Sequence, residues 1–476
     1  MLKIGKFSVS WIIFSVILVS LCYRIYLACT TNMIICWDSL EYRDLGRLLQ
    51  NNDFLSYFKG GPRREPIYPV LVSVAMHMES WSGIVYTRIL AGIGVGILFI
   101  TQVLMYIVLR KLNVRIWICA FILLYFGFSP AINNTAFSLY SEISVLPWTL
   151  LSALLIAKSF ETIISKNIVR SFFAGAGIGS LFVIMTMIKA PFELVFFVFV
   201  GLYFVLLLRA FIQKNRPVII KALVFIFTLC LVYEVPVTAY KMLNKVFNNN
   251  YALTGRGSWA LYGGVALKTE PMTARKILTA IAHIPGNGAC MRFFSEEECT
   301  YWEAFSASDG FGLGKYGQVS STTPAADVDR VILGDCKKRI LEHPFQYVFM
   351  SSFDWIKMFF WESTKIGFVE YPPWLETLYN KTIFKDGLRL LVSLGSLIAF
   401  IILLLSIRNP VKLTDSQCPA TKEQYLRFTI FVILLFYTGL HSMFNTVTRW
   451  ALPLAPLYLV CVGYALQLLW PKPRSK

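Results

Sequence analysis

One short stretch concentrates the residues able to do chemistry: CWDSLEYRDLGRLLQNNDFLSYFKGGPRREPIYP, residues 36–69. It sets a carboxylate, Asp38, in the same loop as Lys59, Arg63 and Arg64. A carboxylate can accept a proton as a bond forms, and fixed cations suit a phosphate. Asp38-Ser39-Leu40-Glu41 also has the Asx-x-x-Glu form of a helix start. On that helix Leu45, Leu48 and Leu49 fall on one side, while Arg43, Asp44 and Arg47 fall elsewhere. The structural alternative is an interfacial amphipathic helix with Asp38 as its cap, or with Asp38 paired to Arg43. The two readings are compatible, because a capped helix can hold a catalytic carboxylate at its start.

The elements that must position this loop are membrane spans. Of 476 residues 56% are apolar and the mean hydropathy is +0.60, and apolar runs long enough to cross a bilayer recur throughout. Ten spans are predicted, near residues 8–27, 84–109, 116–130, 142–158, 171–188, 192–209, 219–240, 387–407, 428–446 and 450–470. With the amino terminus inside, the cytoplasmic segments hold Lys3 and Lys6, then Arg110, Lys111 and Arg115, then Lys158, Lys166 and Arg170, then Arg209, Lys214, Arg216 and Lys221. The later ones hold Arg408, Lys412, Lys422 and Arg427, and finally Lys472, Arg474 and Lys476. Every cytoplasmic segment is basic, as the positive-inside rule requires, and both termini fall in the cytoplasm. Much of the net charge of +18 is therefore a topology signal, which argues against a nucleic-acid partner. The first span has a basic start, but no small-x-small cleavage site follows it, so it reads as a retained anchor.

The fold class is thus an α-helical polytopic membrane protein with about ten transmembrane helices and a large extracytoplasmic loop domain. Residues 1–243 carry the first seven spans and the outer loop 28–83, residues 244–386 form an extracytoplasmic cap, and residues 387–476 carry the last three spans. The cap is rich in glycine and aromatic residues and nearly balanced in charge, which fits folded helices and loops more than a disordered linker. Trp259, Tyr262, Trp302 and Trp361 could stack on sugar faces there or simply pack. Cys22, Cys119, Cys230 and Cys461 fall in apolar spans and behave as small hydrophobes. In CMRFFSEEEC, Cys290 and Cys299 would face an oxidising compartment, and either a disulfide or two buried thiols fits. No Cys/His spacing suggests a zinc site.

The motifs recur in an order that resembles a known family. A first span is followed by WDSLEYRDLGRLL, a hydrophilic gap and REPIYPVLVSV; then come LYSEISVLPWTLLSALL with Glu142, MIKAPFELVFF with Lys189, LTGRGSWALYGG with Arg256, and TRWALPLAPLYLVCVGYAL with Arg449. This succession resembles the GT-C fold glycosyltransferases that use polyprenyl-phosphate sugars, of the protein O-mannosyltransferase and aminoarabinose transferase types. The resemblance runs over most of the chain through short, degenerate motifs. It implies a GT-C-like fold with Asp38 as the catalytic carboxylate. It further implies substrate contacts from Glu41, Tyr42, Lys59, Arg63, Arg64, Tyr68, Glu142, Lys189, Arg256 and Arg449. Each has a plainer alternative: Glu142 as a solvated interfacial acid, Lys189 as a snorkelling turn residue, Arg63 and Arg64 as contacts to anionic lipid, and Arg449 as an anchor of the last span. His441, inside the ninth span, reads as a buried polar group and not as a catalyst.

The partners implied are a polyprenyl-phosphate sugar donor, a glycan, lipid or protein acceptor, and membrane lipids. Phosphate is already a competent leaving group, so such a reaction needs cations for the departing charge more than it needs a general acid. One carboxylate suggests a single displacement with inversion, since a retaining route would need a second as nucleophile. Asp38-Ser39 stands where many relatives have two adjacent acids; a divalent metal stays open, and no soluble cofactor is indicated. A bacterial inner membrane is expected, with the site facing the periplasm or exterior. The sequons at Asn133 and Asn380 would matter only in an ER membrane. Two other functions are weighed: an O-antigen polymerase or ligase, which would favour Arg and His in the large loop, and a transporter or flippase, which would favour pseudo-symmetric halves.

Overall fold

The computed structural model describes residues 2–4, 7–9, 11–51, 53–59, 64–165, 167–255, 257–303, 325–363, 367–407, 421–444 and 446–470. Among them nine helices are long and apolar enough to cross a membrane: α1 (Trp11–Thr30), α5 (Tyr86–Lys111), α8 (Glu142–Ile164), α9 (Ile168–Ile188), α10 (Phe192–Ile212), α11 (Arg216–Asn248), α19 (Ile383–Ser406), α20 (Lys422–Met443) and α21 (Thr448–Leu469). A tenth crossing is made if the bent pair α6 (Ile116–Phe128) and α7 (Pro130–Ala136) counts as one span. The chain is a multi-pass integral membrane protein, and the described residues are helical apart from two small antiparallel strand pairs, Leu2–Ile4 with Phe7–Val9 and Asn32–Met33 with Val369–Glu370. With the bent pair counted as one crossing, which brings Asp38, Glu142, Lys189 and Arg449 to a common face, alternation puts residue 11 and residue 469 at one membrane face, the near face, and the ends of Trp11–Thr30 and Lys422–Met443 at the other, the far face.

Several boundaries differ from those predicted from sequence. The first span begins at Trp11, because Phe7–Val9 is used in the strand pair. The predicted third span, 116–130, is broken: the helices meet at 50° across Ser129. Pro130 disfavours helix for the residue before it, and the Ser129 hydroxyl accepts from the Ile132 amide and starts a second helix. The seventh span runs well past 219–240 to Asn248, where Asn249 ends it in the left-handed conformation (φ 52°).

Close approach between spans rests on small residues. Gly175 and Gly179, four apart on Ile168–Ile188, face the backbone of Arg216–Asn248; a Cβ on Gly179 would stand 2.8 Å from the Leu229 carbonyl oxygen. Arg24 is fully buried in the first span. Its guanidinium donates to Gln102 Oε1 and to the Phe126 carbonyl, both at 3.0 Å, and Gln102 in turn donates to the Leu123 carbonyl at 2.9 Å. One buried cation therefore ties three crossings together through oxygen atoms that the low-dielectric interior would otherwise leave unsatisfied.

At the far face α2 (Asp38–Asn51), α3 (Leu55–Lys59) and α4 (Ile67–Ser82) fill the segment after the first span. Gly46 lets α2 lie against α4, since a Cβ there would come within 2.5 Å of Val72 Cγ1. The described part of the segment after residue 248 is also helical: α12 (Gly257–Thr269), α13 (Ala274–Ala282), α14 (Asn287–Cys290), α15 (Glu296–Thr300), α16 (Ala325–Glu342), α17 (Pro344–Lys357) and α18 (Pro373–Asn380). Cys290 and Cys299 form a disulfide between α14 and α15.

Candidate functional site

The helix α2 begins at Asp38 itself, preceded by Trp37 in the left-handed region (φ 51°), a strained conformation for an aromatic residue. Among the described residues the Asp38 carboxylate reaches two guanidinium groups: Arg64 Nη2 donates to Oδ1 and Arg449 Nη2 donates to Oδ2. Arg64 Nε also donates to Glu41 Oε2 at 2.8 Å, so one planar fork joins the two acids of the first turn of α2. Arg449 Nε stands 3.3 Å from Glu142 Oε1 as an ion pair, and Lys189 Nζ donates to that same oxygen at 3.1 Å. The result is one alternating row, Glu41, Arg64, Asp38, Arg449, Glu142 and Lys189, with three acids and three bases.

The six members are delivered by five elements at the far face, Asp38 and Glu41 both coming from the first turn of α2. Glu142 opens the helix Glu142–Ser165, Lys189 follows the helix Ile168–Ile188, and Arg449 lies in the 3-10 turn Thr448–Leu454 that opens the last span. Such an arrangement is costly to desolvate unless each charge meets another. Glu142, with a side chain 1% exposed, meets two cations. Asp38 keeps 19% of its side chain exposed, so the row is sealed around Glu142 and wetter around Asp38.

A shell of tyrosines sets the arginines in place. The Arg64 guanidinium lies 4.9 Å from the centre of the Tyr42 ring and that of Arg449 4.2 Å from the Tyr140 ring. Tyr42 shares a 2.8 Å hydrogen bond with the Ser141 hydroxyl and meets Tyr68 edge-on at 4.9 Å. The Tyr57 hydroxyl donates to the Arg64 carbonyl, and Glu65 accepts from the Ala190 amide at 2.8 Å, holding the turn that carries Lys189. Burial opposes the Arg64 cation, but Tyr42, Asp38 and Glu41 together outweigh it and hold its pKa above the ordinary value. Burial likewise opposes the Lys189 ammonium, and Glu142 foremost outweighs it, so that pKa too is raised. Burial pushes the Tyr140 phenol up to about 12 against the lowering effect of Arg449. Tyr140 is thus a neutral hydroxyl at physiological pH and is unsuited to act as a base.

Of the residues singled out from sequence, Asp38, Glu41, Arg64, Glu142, Lys189 and Arg449 join this row, and Tyr42 and Tyr68 form its wall. Lys59 does not join it: it is exposed at the end of α3, where its charge acts on Asp53. Arg63 and Arg256 lie outside the described residues. The Asp38 to Arg43 pairing considered from sequence gives way to an Arg43 to Asp44 pair at 2.9 Å. His441 is buried between Tyr437 and Trp450, with ring centres 4.6 and 5.3 Å away. Sequence reasoning missed Tyr140, Ser141 and Glu65; the first two adjoin Glu142 in the motif quoted for it, which is the signal that could have found them. Among the described residues no group of three or more His, Cys, Asp or Glu side chains is arranged to hold a metal.

The chemistry open to this arrangement is proton acceptance by a carboxylate beside guanidinium groups able to bind a phosphate. Compared with models of known protein families and with curated proteins, the sequence matches none of them.

Proposed function

We propose that this chain is a GT-C-like membrane glycosyltransferase that moves a sugar from a polyprenyl-phosphate donor to a glycan, lipid or protein acceptor at the outer face of a membrane. The observation that carries the reading is the bridging of Asp38 by Arg64 and Arg449. Two arginines fixed on separate elements form a phosphate cradle, and the carboxylate between them is the group nearest the bond to be broken. In the state described here the cradle is occupied by Asp38. A donor phosphate competes with the carboxylate for the same guanidinium groups, so donor binding frees the carboxylate as it fills the cradle. Asp38 then takes the proton of an acceptor hydroxyl while the acceptor oxygen bonds to the anomeric carbon. The carbon–oxygen bond to the phosphate breaks, and its electron pair leaves with the polyprenyl phosphate, whose charge Arg64 and Arg449 stabilise. With one carboxylate at the reacting carbon, the displacement inverts the anomeric centre. Tyr42, packed on Tyr68, backs Arg64, and Glu142 with Lys189 keeps Arg449 aimed.

The test uses purified protein in lipid nanodiscs, radiolabelled polyprenyl-phosphate sugars and cell-envelope acceptors. Label moves from one donor to an acceptor with the intact chain and stays on the donor with Asp38→Asn. A second reading, lipid-linked sugar transport, draws on the 50° break between Ile116–Phe128 and Pro130–Ala136, because transporters use broken helices at their binding sites. If donor is never consumed while labelled lipid crosses the bilayer of a proteoliposome, that reading replaces the first.

A further inference from the structure

We infer that residues 344–363 enter the membrane from the far face as the descending arm and tip of a re-entrant segment, and that the outward side of its descending helix, α17, is covered by acyl chains of that leaflet. A ladder of contacts to spans of known direction carries this. At the top of α17 the Tyr347 hydroxyl donates to the carbonyl of Met443, the last residue of Lys422–Met443. Two turns further on, Trp355 Nε1 donates to Thr438 Oγ1 at 2.9 Å, more than a turn inside that same span. The Met358 carbonyl accepts from Tyr458 at 3.1 Å, and Trp361 Nε1 donates to Ser396 Oγ at 3.1 Å. Tyr458 and Ser396 each lie midway along their spans, which puts the tip roughly 15 Å into a hydrocarbon core of about 30 Å. Val369, beyond the tip in sequence, pairs with Met33, just beyond the far end of the first span.

Non-helical backbone at such depth must be satisfied within the protein. The tip meets that demand through Glu362, which is fully buried, accepts from Ser129 Oγ at 2.7 Å and accepts from the Ala131 amide at 3.2 Å. Those donors lie at the break between Ile116–Phe128 and Pro130–Ala136, so two interrupted segments complete each other. Two polar groups on α17 itself are likewise satisfied within the protein. The Lys357 ammonium is buried against His283 Nδ1, 3.5 Å away, and so finds its polar partner inside the protein. The Ser352 hydroxyl is turned back onto the Phe349 carbonyl at 2.6 Å.

The outward side of α17 carries Phe345, Val348 and Phe349, which are 90%, 68% and 49% exposed. They share a face by their spacing, together with Ser352. Since the opposite side of this helix is bonded to spans between the levels of Met443 and Thr438, this face stands at the same height and continues the apolar surface that those spans turn to lipid. Hydrocarbon is the partner that fits a surface with no unsatisfied donor at that level.

The test keeps the full chain and its Cys290 to Cys299 disulfide, replaces the free cysteines, and places single nitroxide labels by Phe345→Cys, Phe349→Cys and Ser352→Cys in lipid nanodiscs. Collision with oxygen is expected to exceed collision with a water-soluble nickel chelate at Phe349 and Ser352, and the ratio is expected to rise several-fold from position 345 to position 352. A ratio that stays flat, or nickel collision that dominates at Phe349 and Ser352, overturns the proposal in favour of a water-facing helix. Exclusion of both reagents overturns it in favour of cover by protein, whether a second copy or another segment. Val348→Cys gives the same reading should a labelled variant lose its disulfide or its elution position. Because the readout is depth, it is independent of whether the protein transfers sugar.

Discussion

Asp38 answers to two guanidinium groups, and this fixes what its replacement does. Asp38→Asn keeps the shape and a hydrogen-bond acceptor but removes the proton acceptor, so transfer is expected to fall by several orders of magnitude while the melting temperature in detergent moves little. Arg64→Lys keeps the charge but not the planar fork that joins Asp38 to Glu41, so donor KM is expected to rise about tenfold, a loss of about 1.4 kcal/mol, with kcat less affected. Glu142 is a different case, because its side chain is sealed between Lys189 and Arg449. Glu142→Gln leaves two cations facing each other out of water and is expected to cost about 3–5 kcal/mol. The double replacement with Lys189→Met is expected to recover part of that loss, and a double-mutant cycle on the melting temperatures checks it. These residues were legible in the sequence because charges at span ends are expensive and the basic-segment pattern put them all on one face. Which charge meets which was not legible, since pairing depends on the tilt and rotation of five separate elements.

At the scale of elements, the placement of α2 and of the broken third span decides whether the row exists. Gly46 sets the distance between α2 and α4, so Gly46→Leu is expected to displace Asp38 and to lower activity at least as much as it lowers stability. Gly179→Ile forces apart two spans whose backbones touch, and overpacking of this kind costs about 1–3 kcal/mol, read as an earlier melting transition. The sequence carried the spans because each is a long apolar run, and it missed the bend at Ser129 because only one proline marks it. It also missed the segment around Trp361, where Asp354, Lys357 and Glu362 interrupt the apolar pattern and make it resemble an aqueous loop. Glu362→Ala removes the acceptor for both Ser129 and the Ala131 amide, and leaving such donors buried costs about 1–3 kcal/mol. The comparison of melting temperatures with Glu362→Gln, which keeps an acceptor, separates lost hydrogen bonding from lost volume.

Over the whole molecule, the far face is where chain segments remote in sequence converge, and the near face is where the basic connections lie. The hydropathy pattern delivered that polarity, and the fold adds a closure the pattern could not reveal: Asp38 and Arg449, 411 residues apart, are direct partners. This closure has a consequence for how the protein is made. During synthesis the loop with Asp38, Glu41 and Arg64 leaves the ribosome early, and its carboxylate waits through every intervening span before Arg449 is inserted. Until then the row is an incomplete set of charges, in which Asp38 lacks one of its guanidinium partners and Glu142 one of its two cations. On the proposed function, chains stalled before Arg449 are therefore expected to lack both sugar transfer and the ion-paired far face, so competence for chemistry waits on insertion of the span that Arg449 opens.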